Sequence, residues 1–106
     1  MGDKDFSTIL EEQFINRTNL LYDKSVIWRH FKGNIYRILC IANHTEHRET
    51  LVIYQRIRDD GTLTRHVCAR PVKMFLSPVD LEKYPDATQT FRFEAIKEEE
   101  YENNKN

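Results

Sequence analysis

The sequence predicts a mainly β fold: a small, strongly bent barrel of about five strands, preceded by one amphipathic α-helix. Three observations predict it. A helical apolar period near the start gives way after Asp23 to strand-like runs. Those runs are short, rich in β-formers and separated by turn signals such as Asp59-Asp60-Gly61. One brief segment after Pro71, Val72 to Phe75, is too short for a further strand and fits a helical turn plugging a barrel end.

From Phe6 to about Lys24 the residues Phe6, Ile9, Leu10, Phe14, Leu20 and Leu21 recur at mostly helical spacing, with Glu11, Glu12, Arg17 and Asp23 mainly elsewhere. Thr8 and Glu11 have the spacing of a capping box, and Asp3 or Asp5 would equally start the helix a turn earlier. Val26-Ile27-Trp28 opens the first strand, Lys32-Gly33-Asn34 is a turn, and Ile35 to Ala42 pairs back. Leu51 to Ile57 is the clearest strand. Thr62 to Ala69 returns across a tight Asp-Gly turn, where both residue types tolerate positive φ. Proline donates no hydrogen bond to a ladder, so this strand ends near Arg70. Pro78 and Pro85 bracket an irregular polar connection. Phe91 to Ile96 then alternates, with Phe91, Phe93 and Ala95 on one side. The expected organisation is a helical extension over 1–25, a barrel over 26–97 and an acidic disordered tail over 98–106.

A length of 106 residues suits one domain, and 40% hydrophobic with 31% charged residues suits a folded, soluble one. No apolar run approaches membrane-spanning length, and Met1 to Asp5 carries two acids and no apolar stretch, so no membrane association and a cytoplasmic location are expected. Cys40 and Cys68 each lie in a strand-like segment, which fits buried thiols in a reducing compartment. The formal net charge of −1 conceals an uneven layout. Residues 26–75 hold nine basic and four acidic side chains and all four histidines, and both flanks are acidic. A basic centre of this kind attracts phosphates.

Several blocks also carry a family resemblance: Arg29-His30-Phe31-Lys32-Gly33-Asn34-Ile35-Tyr36, Ala42-Asn43-His44-Thr45-Glu46, Leu51-Val52-Ile53-Tyr54-Gln55, Asp60-Gly61, Ala69-Arg70-Pro71-Val72-Lys73-Met74-Phe75 and Phe91-Arg92-Phe93. In order and spacing, from about residue 28 to 96, the chain resembles the domain of unknown function 1653 family of bacteria and phages. The resemblance implies an SH3-like barrel and no particular activity. The chain departs from the family pattern where Cys68 replaces a usual tryptophan, where the hairpin after Gly61 runs longer, and where Phe91 replaces a usual proline. The N-terminal helix lies outside the family domain.

Arg29, His30 and Lys32, with Trp28, Tyr36 and Tyr54 near them in the expected barrel, combine cations for phosphate with flat rings for bases. Arg70 and Arg92 join them as candidate ligand-binding residues. The competing reading makes Phe31, Tyr36 and Tyr54 core residues and the arginines solubilising charges on the outer face. Other constellations are weaker. His44-Thr45-Glu46-His47 is a partial metal-ligand set or a solvated turn in which His44 bonds the backbone, and the cysteines lack the spacing of a closed zinc site. His66 and Cys68, two apart on a strand, share a face and would make a thiol-imidazole pair if exposed. With Gly2, Gly33 and Gly61 the only glycines, no glycine-rich phosphate cradle exists. The expectation is a non-enzymatic binding module without catalytic residues, metal or cofactor, presenting a basic, aromatic face to a nucleic acid or a nucleotide-like phosphate ligand. The alternative is a protein-interaction module, a homo-oligomer assembled through the N-terminal helix.

Overall fold

The computed structural model describes residues 6–103, apart from the side chains of Phe6, Ser7, Ile9 and Leu10. Helix α1 spans Phe6–Leu20. Thr8 lies inside it, so Thr8 and Glu11 do not form the starting box, and the alternative starts at Asp3 and Asp5 lie outside the described residues. The helix stops four residues short of Lys24 because the chain tightens. Leu21, Tyr22 and Asp23 donate to carbonyls three residues back, and the Asp23 carboxylate then accepts from the Ser25 amide and hydroxyl.

Among the described residues, the expected apolar stripe seats α1 only through its last two members, Leu20 and Leu21. Of its members, Phe6, Ile9 and Leu10 have side chains outside the described set, Phe14 is 46% exposed, and every residue from Glu11 to Asn16 faces solvent. Docking falls to the C-terminal turn. Leu20 and Leu21 pack on the core, while the half-buried Arg17 guanidinium donates to the Leu76 carbonyl at 2.7 Å and the Phe93 carbonyl at 2.9 Å. It also lies 3.7 Å from the centre of the Phe91 ring, and burial lowers its pKa. Arg17→Ala is therefore expected to cost about 2 kcal/mol, as two carbonyls lose a charged donor. Urea unfolding should show a lower midpoint at unchanged slope.

Five strands follow: β1 Val26–His30, β2 Ile35–Asn43, β3 Thr50–Ile57, β4 Leu63–Pro71 and β5 Phe93–Lys97. Helix α2, Val72–Phe75, follows β4, and α3, Glu98–Asn103, follows β5. The strands form one antiparallel sheet in the order β4-β3-β2-β1-β5. The fold is mainly β with one N-terminal helix, as expected, but the sheet does not close into a barrel. β4 ends at Pro71, which lacks an amide proton, and the chain turns at once into α2. Side chains bridge the opening instead: Phe75 of α2 stacks on Phe93 of β5 at 4.1 Å and 10°.

Both tight hairpins use one device. Gly33 accepts φ +110° and Gly61 +87°, each donating to the carbonyl three residues back while the residue before the turn bonds across it. These are three-residue loops with glycine in the left-handed position. Of the expected Asp-Gly pair only Gly61 uses positive φ; Asp60 keeps a negative φ, and its carboxylate accepts from the Thr62 amide and hydroxyl.

Strand alternation sorts side chains onto two faces. The inner face carries Trp28, Ile38, Val52, Tyr54 and Phe93, packed with Phe75 and Leu21. On the outer face a smaller group, Ile27, Ile35 and Ile57, is covered by Ile96 and Tyr101. Tyr101 belongs to α3, so residues 98–103 fold back as a helix instead of forming the mobile tail expected there; residues 104–106 lie outside the described set. Glu98 fixes its start through a 2.5 Å ion pair with Arg37. The cysteines also differ from expectation. A register shift between Ile38 and Cys40 leaves Cys40 exposed, and Cys68 is half-buried.

Candidate anion-binding site

The turn after β1 and the long connection before β5 meet at one end of the sheet. Phe31 donates its amide to the Arg92 carbonyl at 2.9 Å, Arg92 donates to Ser77 at 2.9 Å, and Val79 to Thr90 at 2.9 Å. The Gln89 amide ties the two segments, donating to Arg29 at 3.0 Å and Phe91 at 2.8 Å. Between them lies an open cavity of about 300 Å³ lined by His30, Phe31, Lys32, Arg70, Val79, Asp80, Lys83, Tyr84 and Arg92.

Four cations and one carboxylate share this wall. Asp80 accepts from the Glu82 amide at 3.1 Å and the Lys83 amide at 3.4 Å. Among the described residues none of the four cations forms an ion pair. Among the described residues the Arg92 guanidinium has no hydrogen-bond partner, and its Nε is buried. Arg70 donates Nε to the Tyr54 hydroxyl at 3.1 Å and lies 5.5 Å from the Phe93 ring centre. Phe31 and Tyr84 meet edge to face at 4.9 Å, with Lys32 5.1 Å and Lys83 5.5 Å from the Tyr84 ring centre. Hydrogen bonding from Lys32 lowers the Tyr84 pKa.

The electrostatics register at His30. Partial burial, then the charges of Arg70, Lys32 and Arg92, bring its pKa down to about 4. Its Nδ1 accepts from the Lys32 amide at 3.1 Å, which leaves the proton of the neutral ring on Nε2. A depressed histidine pKa means that the unfolded chain binds the extra proton first. The stability His30 contributes is whole above about pH 6.5 and falls as pH drops toward 4. An NMR titration should place the His30 midpoint near pH 4; a midpoint at its ordinary 6.5 would contradict this environment.

Of the eight residues singled out in sequence, His30, Lys32, Arg70 and Arg92 converge on the cavity. The other four do not line it. Trp28 is fully buried, edge-on to Phe75 at 5.2 Å. Tyr54 is buried at 3% exposure, and Tyr36 packs edge to face on Tyr54 and Phe93. Arg29, one residue from both Trp28 and His30, falls on the opposite face of β1, beside Glu94 across the β5 register. The competing core reading holds for these tyrosines and fails for Phe31, which lines the cavity and belongs to neither core group. Lys83 and Tyr84 were missed: they sit in the segment read as an irregular polar connection, about fifty residues from the turn they face, where no periodicity announces a contact.

The weaker constellations resolve simply. His44 Nδ1 accepts from the Glu46 and His47 amides at 3.0 and 3.1 Å, so it closes its own loop. Among the described residues no three histidine, cysteine or acidic side chains are grouped to hold a metal. Cys68 packs against the inner core while His66 is exposed, and no hydrogen bond joins them. Among the described residues no helix is long and apolar enough to cross a membrane.

No match was found among curated proteins or solved structures. One family does match, that described as Protein of unknown function (DUF1653), over residues 26–95. This interval contains β1 to β4, α2 and every residue lining the cavity, and it leaves out α1 and α3. The chain therefore belongs to the DUF1653 family.

Proposed function

We propose that this domain is a non-enzymatic binding module whose cavity takes a nucleotide-like phosphate ligand. The observation that carries the reading is the convergence of Lys32, Arg70, Lys83 and Arg92, without an ion pair, beside the Phe31 and Tyr84 rings. A phosphate neutralises such a cluster with charge-assisted hydrogen bonds, and a base or other flat group stacks against the rings. The volume lies at the small end of ligand pockets, which favours a compact ligand over a polymer track. The two free cysteines support a reducing, cytoplasmic setting, in which phosphate ligands of this kind are abundant.

The test compares ADP with a short single-stranded oligonucleotide at rising salt. Measurable ADP binding at low salt, with the oligonucleotide no better, supports the reading. Tight oligonucleotide binding that falls steeply with salt moves it to nucleic acid. Binding of neither ends it. A second reading, assembly through the N-terminal helix, draws support from a separate observation: Phe14 and Ile15 are 46% and 57% exposed on α1.

A further inference from the structure

We propose that the outer face of β2–β4 is the docking surface for helix α1 of a second copy of this chain. The proposal rests on the assembly reading of α1 and adds the surface that receives it.

An antiparallel sheet with one solvated face ordinarily alternates apolar and polar residues. Here the alternation is lost over part of the outer face. The paired register sets Cys40 opposite Ile53 and Ile53 opposite Ala69, Leu51 opposite Pro71, and Gln55 opposite Val67. Cys40, Leu51, Ile53, Val67, Ala69 and Pro71 thus form a contiguous apolar surface at the end that α3 does not cover. None of the six belongs to either core group, and Val67 is 52% exposed. Leu39, at the bulge beside Cys40, is 37% exposed.

The same chain holds the matching element. Glu11, Phe14 and Ile15 stand three and four residues apart and share a helix face, and all three are exposed. That face cannot reach the outer sheet of its own chain, because Arg17 and Leu21 anchor the C-terminal end of α1 on the inner side. A neighbouring molecule has no such restraint. Charge agrees with this pairing. Lys24 bonds the Leu39 carbonyl at 3.1 Å beside this surface and Arg65 is exposed on β4, while the helix face brings Glu11; Arg37, at the end that α3 covers, is already paired with Glu98.

The experiment is sedimentation velocity of the whole chain over rising concentration, with Phe14→Glu and Val67→Glu. Both positions are exposed in the single chain, and circular dichroism should show both variants folded. The expected result is a wild-type mass that rises to a dimer or beyond, weakened about tenfold or more by either substitution. Mixing the two variants should restore part of the association, since one supplies an intact helix and the other an intact sheet. Labelling of the Cys40 thiol should slow as the wild type assembles. Association lost with Phe14→Glu but kept with Val67→Glu overturns this surface and leaves assembly through the helix standing. A monomer at every concentration overturns both.

Discussion

Phe93→Ala is expected to cost about 3–5 kcal/mol of stability. Phe93 is 1% exposed and stacks on Phe75 at 4.1 Å, with Tyr36, Tyr54 and His30 edge-on around it. Because the sheet is open, this stack replaces the backbone ladder that would join β4 to β5. Losing it leaves a ring-sized void and removes the aromatic surface against which Arg70 lies. Unfolding by urea or heat would measure the loss. A cost below 1 kcal/mol would mean that the opening is held by something other than the Phe75–Phe93 pair.

Arg92→Ala is expected to weaken binding of a phosphate ligand by about tenfold to a hundredfold, the worth of one or two hydrogen bonds to a charged group. Its effect on folding should be small, because the guanidinium has no acceptor within the described residues to lose. The contrast with Arg70 is informative. Arg70→Ala removes a cavity cation and also strips the buried Tyr54 hydroxyl of its partner, so affinity and stability should fall together. Arg92→Lys keeps the charge and loses the planar fork, and should recover only part of the affinity. Calorimetric titration with ADP, beside an unfolding curve for each variant, separates these outcomes.

The parts legible in sequence were those encoded locally. The five strands announce themselves by β-rich runs, the turns by Gly33 and Gly61, and the α2 plug by Pro71. Closure of the barrel was not legible, because whether β4 and β5 meet depends on how Phe75 and Phe93 fill the gap and not on either strand's composition. The α1 stripe was legible in part for a related reason: Leu20 and Leu21 dock and Phe14 does not, because apolar residues at helical spacing show that a helix has a sticky face without showing what each residue meets. Arg17, read as one of the polar residues away from that stripe, turned out to make the principal polar contact. In the site, strand parity separates the candidates of β1. Trp28 and His30 share a face of β1 and Arg29 takes the other, so Arg29 could never join His30 at the cavity. Lys83 and Tyr84 lay beyond such reasoning, since their approach to Phe31 and Lys32 is set by backbone bonds among Ser77, Val79, Thr90 and Arg92.

The most direct test of the proposed anion site is an amide and side-chain NMR titration of the isotope-labelled protein with ADP at low salt. Shifts concentrated on Phe31, Lys32, Lys83, Tyr84 and Arg92, with the His30 midpoint moving upward from about 4 as phosphate replaces the surrounding positive field, are the expected result. Shifts scattered over Arg29 and the exposed arginines of the hairpins, or none at all with His30 unmoved, would contradict it.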